Sequence, residues 1–196
     1  YVPSKHWKFS LASDLFINTL NASIPECPFP IRHTSVSAAA AEFNLKGVKV
    51  NANLAATYIS EQLRTGEAPE DKFRLSPTIG VNWNIYKGLY MRASWKDSFR
   101  APTFNDLYYT RVGNRSLRPE SGWQSNMGLT LREKHKFGRI EISADAYFNK
   151  LKDKITAIPT MFIWSMQNVG KDWMYGTDIN LSASFVPHRK VTIVLN

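Results

Sequence analysis

The strongest structural signal in this chain is a side-chain pattern that repeats every two residues. Between Gly88 and Phe99, apolar side chains alternate with polar ones, interrupted near the end by Asp97. A β-strand points successive side chains to opposite sides, so this segment predicts a strand with one apolar and one polar face. The apolar positions are Leu89, Met91, Ala93, Trp95 and Phe99, and the polar ones Tyr90, Arg92, Ser94, Lys96 and Ser98.

The same alternation recurs along the chain and predicts about nine strands. They are about eleven residues long, which exceeds the roughly 5–6 of a typical globular strand and matches the roughly 9–11 that cross a bilayer. The predicted strands are Trp7–Ile17, Thr34–Leu45, Val48–Ile59, Arg74–Ile85, Gly88–Phe99, Gly122–Arg132, Arg139–Lys150, Tyr175–Val186 and Lys190–Asn196.

The predicted connections alternate between short and long. This is typical of an antiparallel up-and-down transmembrane β-barrel, with short periplasmic turns and longer extracellular loops. We therefore expect an all-β fold that forms part of such a barrel. Short connections fall at 45–47, 85–88, 133–138 and 187–189, and long ones at 22–33, 62–72, 100–118 and 152–171.

The composition argues against a helical membrane protein and against a soluble β-sandwich. No apolar run reaches the roughly 18 residues of a transmembrane helix. The polar positions are rich in Asn, Ser, Thr and Gln, as expected of a water-filled lumen, whereas a soluble sandwich would carry more Lys and Glu outside. A soluble, secreted all-β binding domain nevertheless stays open as the alternative, and it predicts that the apolar faces pack on each other.

The net charge of +9 raises the question of an anionic partner. The basic residues are scattered with no compact patch, so we expect no nucleic-acid binding. Barrel lumens and surfaces that face lipopolysaccharide also use positive charge to attract anions.

We find no constellation that predicts catalysis or a metal site. None of the four histidines has a serine or cysteine at motif spacing, and the lone Cys27 can form no internal disulfide. The acidic residues of the 62–72 connection fit no defined calcium loop. We therefore expect no enzyme activity, no metal and no cofactor.

A central motif carries a resemblance to a known family. It runs Ser98-Phe99-Arg100-Ala101-Pro102-Thr103-Phe104-Asn105-Asp106-Leu107-Tyr108-Tyr109 and continues through Val112-Gly113-Asn114 to Leu117-Arg118-Pro119-Glu120-Ser121. This resembles the late-barrel segment of TonB-dependent outer-membrane receptors, where "F-R-A-P-T" ends a strand and "G-N-x-x-L-x-P-E" leads into the next. Asn168-Val169-Gly170 with Gly176-Thr177-Asp178 resembles a later pattern of the same family.

The resemblance implies a fold and a role. Such receptors are bacterial outer-membrane barrels of about 22 strands with a plugged lumen. The plug region engages the TonB complex, and the substrates are scarce, large nutrients such as cobalamin, ferric siderophores or haem. Residues 1–196 would then be a partial barrel, with the plug domain and the carboxy-terminal strands absent. Membrane lipid, lipopolysaccharide and a small-molecule ligand would be further partners.

Most residues of the motif have a structural explanation. Pro102 stops a strand, Gly113-Asn114 is a turn pair that tolerates positive φ, and Pro119 starts the next strand. Arg100 is placed to bridge Asp106 or Glu120. We interpret the motif as holding the loop; its structural residues are Phe99, Arg100, Pro102, Thr103, Leu107, Tyr108, Gly113, Asn114, Leu117, Pro119, Glu120, Gly170 and Gly176.

Ligand contacts are expected on the long loops, where binding residues concentrate. Aromatic side chains can stack on a flat ligand, and arginine can pair with its acidic groups. The candidate ligand-binding residues, taken as exposed on loops, are Tyr108, Tyr109, Arg111, Phe162, Trp164 and Trp173.

Overall fold

A computed structural model describes residues 5–23, 27–136, 138–188 and 191–195. In this part of the chain, nine antiparallel strands form one sheet in which every strand pairs with its sequence neighbours. The elements are β1 (Trp7–Thr19), β2 (Ile31–Leu45), β3 (Val48–Gln62), β4 (Lys72–Tyr86), β5 (Leu89–Arg100), α1 (Phe104–Tyr108), β6 (Glu120–His135), β7 (Gly138–Pro159), β8 (Trp164–His188) and β9 (Val191–Leu195).

The strand register confirms that the alternation separates two faces. Residues directly opposite each other in neighbouring strands share a face, so each register row can be followed across the sheet. One row is apolar throughout, and the adjacent row is polar or glycine throughout. The apolar row is Val48, Trp83, Met91, Leu129, Ala144 and Ile179, and the polar row is Lys49, Asn82, Arg92, Gly128, Asp145 and Asp178.

One end of the sheet, the short-turn end, carries tight connections. Lys46-Gly47 joins β2 to β3, and Lys87-Gly88 joins β4 to β5. Gly88 has a φ of +81°, a left-handed conformation that favours glycine, and a Cβ there would collide with the backbone carbonyl of Arg132. The predicted turns at 133–138 and 187–189 lie at the same end, although Phe137 and Arg189 fall outside the described residues.

The opposite end, the long-loop end, differs from the expectation in one connection. The predicted long loop over 152–171 is wrong, because β7 continues to Pro159 and β8 already begins at Trp164. The two strands pair from Lys152↔Lys171 outward to Pro159↔Trp164 and project as a hairpin arm beyond the neighbouring strands. The sequence alternation weakens where no neighbouring strand imposes two faces, so the periodicity predicts a loop at the arm.

The other strand bounds agree with the expectation within a few residues. β2 begins three residues early at Ile31, and β6 extends at both ends to Glu120 and His135. β9 covers Val191–Leu195 of the predicted last strand, whose end residues Lys190 and Asn196 lie outside the described residues.

Aromatic side chains cluster at both ends of the apolar face. At the short-turn end, the Trp7 ring lies 5.7 Å from Phe9 and 4.7 Å from Phe43. At the long-loop end, Phe148 lies 5.2 Å from Trp123 and 5.4 Å from Trp173, measured between ring centroids. Strands of this length tilted by about 40° separate two such levels by about 25 Å, the height of the apolar band of an outer-membrane barrel.

The polar face is held by ion pairs that span strands. The Arg92 guanidinium bonds both carboxylate oxygens of Asp145, at 2.7 and 2.6 Å from Nη2. The pair crosses β6 over Gly128, where any Cβ would occupy the space taken by the two side chains. Asp97, which lies in the apolar row of β5 and not on the polar face, is paired as well, because Arg74 binds it at 2.8 Å where the β4–β5 ladder ends.

The soluble-sandwich alternative is not supported. In the described residues no second sheet covers the apolar face, and Leu11, Ile79, Leu129 and Leu181 on it are exposed. Among the same residues, no helix is long and apolar enough to cross a membrane.

Candidate functional site at the long-loop end

The base of the 101–119 loop is closed by an ion pair between the ends of β5 and β6. Arg100 and Glu120 face each other in the last pair of the ladder and form two hydrogen bonds, of 2.9 and 2.7 Å. Glu120 also accepts a 2.7 Å bond from the Ile155 N–H in the hairpin arm, and Arg100 lies 3.6 Å from Asp106. Both bridges expected of Arg100 are confirmed.

After this base, the chain makes the short helix α1. Pro102 is fully buried, and Thr103 caps the helix by accepting a 3.2 Å bond from the Asp106 N–H. The Asp106 carboxylate accepts a 2.8 Å bond from the Thr103 N–H in return, which completes a capping box. The Thr103-to-Asp106 spacing therefore satisfies backbone N–H groups at the start of α1.

The loop packs on a small apolar core of its own. This loop-end cluster joins residues of the loop to the end of β3 and to both strands of the hairpin arm. It consists of the buried residues Leu107, Tyr108, Leu117 and Ile155, with the partly buried Leu63, Phe104 and Met166 packed against them.

A buried ion pair fastens the loop to β2 and β3. Arg32 donates to Glu61 at 2.8 and 2.5 Å, and the two side chains are only 11% and 3% exposed. The Tyr108 hydroxyl donates a 3.0 Å bond to the second oxygen of Glu61. The Arg32 guanidinium also lies 4.9 Å from the centroid of the Phe104 ring. Burial, together with the Glu61 charge, raises the pKa of Tyr108, so its hydroxyl remains protonated and donates.

The turn after α1 differs from the expectation at Gly113. Gly113-Asn114 lies in a turn as predicted, but neither residue adopts the positive φ that the pair tolerates; the left-handed residue is Arg111, with a φ of +67°. Gly113 is required for another reason: a Cβ would lie 2.7 Å from the Tyr109 nitrogen and 2.8 Å from the Leu107 carbonyl carbon. The backbone of the turn passes too close to admit a side chain.

Two asparagine side chains join the loop to the hairpin arm. Asn114 donates a 3.0 Å bond to the Met166 carbonyl, and Asn168 exchanges bonds of 2.8 and 2.9 Å with the backbone of Arg118. The Met166 N–H also donates to the Val112 carbonyl at 2.9 Å. The loop and the arm are therefore one packed unit and not two separate flexible segments.

The remaining motif residues have unequal roles. Leu117 belongs to the loop-end cluster, Pro119 immediately precedes β6, and Phe99 is partly buried at the end of β5. A Cβ at Gly176 would lie 2.5 Å from the Tyr147 hydroxyl oxygen, so this glycine makes room for that ring. Nothing lies within 4 Å of a Cβ at Gly170, and the structure gives no reason for that glycine.

Of the three candidate ligand residues on the loop, one is buried and two are exposed. Tyr108 was expected to be exposed, and this is wrong: it is 7% exposed because its ring joins the cluster and its hydroxyl binds Glu61. Tyr109, the next residue, is 55% exposed, and Arg111 is exposed as well. These two side chains lie on the outside of the packed turn.

The hairpin arm carries two candidates from the predicted 152–171 loop, Phe162 and Trp164. The third remaining candidate, Trp173, lies on the wall, meaning the strands of the sheet without the hairpin arm. Phe162 is 89% exposed in the turn, and Trp164 is the exposed first residue of β8. The Met166–Val112 bond brings this arm beside Arg111. Trp173 is not a loop residue: it lies within β8, on the apolar face, next to Phe148 and 4.4 Å from the Lys150 ammonium.

Sequence reasoning missed the residues that hold the site together, namely Arg32, Glu61 and Ile155. Each lies at the edge of a predicted strand or in a predicted loop, far along the chain from its partner. Without the strand register, the sequence does not show which residues these charged and apolar side chains contact. Asn168, in contrast, belongs to the family pattern found in the sequence.

Among the described residues, no group of three or more His, Cys, Asp or Glu side chains is arranged to hold a metal ion. Cys27 is buried near the start of the 63–71 connection, where the Arg64 N–H bonds the Pro28 carbonyl at 2.9 Å. Asp71 in that connection accepts a hydrogen bond from Tyr58, which lowers the pKa of its carboxyl.

Comparison with protein families decides the relationship that the motif suggested. The model of the TonB-dependent receptor-like β-barrel matches residues 6–196. The chain belongs to this family. Members of this family are outer-membrane β-barrel proteins, so the apolar face described above is the lipid-facing side and the polar face lines the lumen.

Two curated relatives of this family member are vitamin B12 transporters. The BtuB protein of Vibrio vulnificus is 34% identical over 117 residues, which covers 55% of this chain and 18% of that protein. BtuB of Photobacterium profundum is 29% identical over 96 residues, covering 49% of this chain and 14% of that protein. The chain thus matches less than a fifth of the length of these relatives.

Solved structures share the fold at low sequence identity. The Serratia marcescens hemophore receptor HasR matches with a TM-score of 0.73 and 12% identity, over 93% of this chain and 38% of that one. The copper transporter OprC matches with a TM-score of 0.71 and 14% identity, over 95% of this chain and 33% of that one. The FrpB iron transporter of Neisseria meningitidis (F3-3 variant) matches with a TM-score of 0.68 and 10% identity, over 95% and 32%.

Proposed function

We propose that this chain forms part of the wall and extracellular end of an outer-membrane active transporter for a scarce, large nutrient. Its substrate class is cobalamin, a ferric siderophore or haem, and the energy comes through TonB. Membership of the TonB-dependent receptor family and the named vitamin B12 transporters among the relatives support this assignment.

The observation that carries the proposal is the packed loop at the long-loop end. A binding surface that is ordered before its ligand arrives binds more tightly, because ordering a loop on binding costs free energy. The loop-end cluster, the Arg32–Glu61–Tyr108 contacts and the Asn114 and Asn168 bonds fix the 101–119 loop in this way.

In this proposal, the exposed side chains on that fixed surface contact the ligand. Tyr109 and Trp164 provide flat faces for stacking, Arg111 provides a cation for acidic groups of the ligand, and Phe162 extends the apolar surface at the tip of the arm. Tyr108 orders the surface from beneath, and Trp173 serves the membrane-facing wall.

The proposal also implies further barrel strands, a plug domain and surrounding lipid that complete the transporter. Nine strands would be joined by others into a larger barrel of about 22 strands. A plug in the lumen would meet the polar face, and its contact with the TonB complex would drive release of the ligand. Lipid and lipopolysaccharide would surround the apolar face.

The test uses the full-length receptor in outer-membrane vesicles, with cyanocobalamin, a panel of ferric siderophores and haemin as ligands. We expect one class to bind with submicromolar affinity, and its uptake in cells to stop when TonB is deleted. Arg111→Asn with Tyr109→Ala should weaken that binding by about tenfold or more. Asparagine is chosen because it tolerates the left-handed backbone of Arg111 while removing the charge.

The matched control is Lys87→Asn with Tyr86→Ala, which removes a cation and an exposed tyrosine at the short-turn end. It should bind as the unchanged receptor does. Equal losses in both pairs, or TonB-independent uptake of every bound ligand, would contradict the proposed function.

A further inference from the structure

A basic patch lies at the upper edge of the lipid-facing wall, on strands β6, β7 and β8. The register places Lys150 between Trp123 and Trp173 and, one step nearer the loops, Lys152 opposite Lys171. Ser121, next to Lys152, is only one residue from the start of β6, so this step is the rim of the wall.

The rings beneath the patch form a continuous surface. Phe148 contacts both Trp123 and Trp173, and the Lys150 ammonium is held 4.4 Å from the centroid of the Trp173 ring. Indole rings prefer the level of the lipid headgroups, where one side is apolar and the other is wet. The lysines that follow toward the loops therefore stand at the height of the headgroup charges.

Lys152 and Lys171 are exposed like charges directly across the β7–β8 ladder, an arrangement that destabilises a sheet. The acidic side chains nearby are engaged elsewhere, because Asp172 pairs with Lys154 at 3.0 Å and Asp153 pairs with Arg118. Within the described part of the chain, neither Lys152 nor Lys171 forms an ion pair. An external anion would relieve their repulsion.

We propose that this rim binds a phosphorylated lipid of the outer leaflet. The Lys152 and Lys171 ammonium groups donate to its phosphate oxygens, and its apolar part lies along Trp123, Phe148 and Trp173. An amphiphile fits better than a free anion because the cations and the rings lie on the same face, one above the other. This inference rests on the proposed function, in which the long-loop end is the extracellular end of the barrel and faces an outer leaflet made of phosphorylated lipid A.

The test measures lipid binding to the full-length receptor in nanodiscs of neutral lipid. Bisphosphorylated lipid A is compared with the same lipid after enzymatic removal of its phosphates. We expect the unchanged receptor to prefer the phosphorylated form, and the double variant Lys152→Gln/Lys171→Gln to lose about tenfold in affinity for it. Binding of the dephosphorylated lipid should not change.

The matched control is Lys46→Gln/Lys87→Gln, which removes the same charge from the short-turn end and should retain full binding. The conservative variant Lys152→Arg/Lys171→Arg should also retain binding, and it keeps the test decisive if the glutamine variant fails to fold. Ligand uptake is a separate readout, which the Lys152→Gln/Lys171→Gln receptor should preserve.

Three results would overturn the proposal. The glutamine variant could bind phosphorylated lipid A as tightly as the unchanged receptor does. The unchanged receptor could fail to distinguish the two lipids. Inorganic phosphate alone could bind in a Lys152- and Lys171-dependent way and fully displace the lipid, which would identify a free-anion site.

Discussion

The wall of the sheet and the loop-end cluster bury their side chains in opposite ways. On the wall, Leu129 and Trp95 are 42% and 38% exposed because their apolar environment is the membrane. At the long-loop end, Leu107, Leu117 and Ile155 are buried against each other within the chain itself. The apolar side chains of the wall therefore need surrounding lipid to be stable. The loop region is instead stabilised by its own core and a buried ion pair, like a small soluble domain.

The largest effect that separates the two regions should come from Glu61→Gln. The change leaves Arg32 buried without its counter-charge, which costs about 3–5 kcal/mol in comparable buried pairs. We expect hydrogen exchange to show loss of protection over residues 104–117, while the amides of β5 and β6 keep theirs.

Glu133→Gln is the control for that experiment, because Glu133 pairs with His135 at an exposed position of the short-turn end. It should leave the exchange of residues 104–117 unchanged. Retained protection in the Glu61→Gln receptor would show that the ion pair does not hold the loop.

The next largest effect on stability should distinguish the lipid-facing side of the wall from the lumen-facing side. Leu129 lies about 15 Å below the Trp123 level on a tilted strand, near the membrane midplane. Leu129→Arg should therefore destabilise the folded receptor in lipid vesicles by about 2–4 kcal/mol. Ser94→Asp, which points a charge into the lumen, should have a small effect. The face assignment fails if denaturant unfolding ranks the two substitutions the other way.

A smaller effect should distinguish two glycines of the family motif. At Gly113 a Cβ would press on backbone atoms of Leu107 and Tyr109, whereas at Gly170 it would meet open space. Overpacking of this kind typically costs about 1–3 kcal/mol, so Gly113→Ala should loosen the loop and Gly170→Ala should not. Limited proteolysis between residues 101 and 119 measures this difference, and equal cleavage rates would contradict it.

The smallest effect should come from Tyr108→Phe, which removes one hydrogen bond to Glu61 and keeps the packed ring. We expect a loss of about 1–2 kcal/mol in the local opening free energy of the loop, measured by hydrogen exchange. Tyr109→Phe removes an exposed hydroxyl from the neighbouring residue and should change nothing in that measurement. A Tyr109→Phe effect of equal size would place the stabilising contact elsewhere.

The two regions also differed in how well the sequence predicted them. The strands of the wall were predictable because membrane and lumen impose a strict two-residue alternation, as in Leu89 to Phe99. The hairpin arm lacks this alternation because no neighbouring strand imposes it, so the sequence pattern predicts a loop there. The Arg32–Glu61–Tyr108 contacts join residues distant in sequence, so no local pattern could reveal that Tyr108 is buried.

In β5, odd-numbered residues face lipid and even-numbered ones face the lumen. A nitroxide scan of single cysteines from Met91 to Lys96 tests it in the full-length receptor, in a Cys27→Ser background and lipid vesicles. We predict that nitroxides at positions 91, 93 and 95 collide mainly with oxygen dissolved in the lipid. Nitroxides at positions 92, 94 and 96 should collide mainly with a water-soluble nickel chelate. Accessibility without a two-residue period, or with its phase reversed, would contradict the assignment of the wall to the membrane.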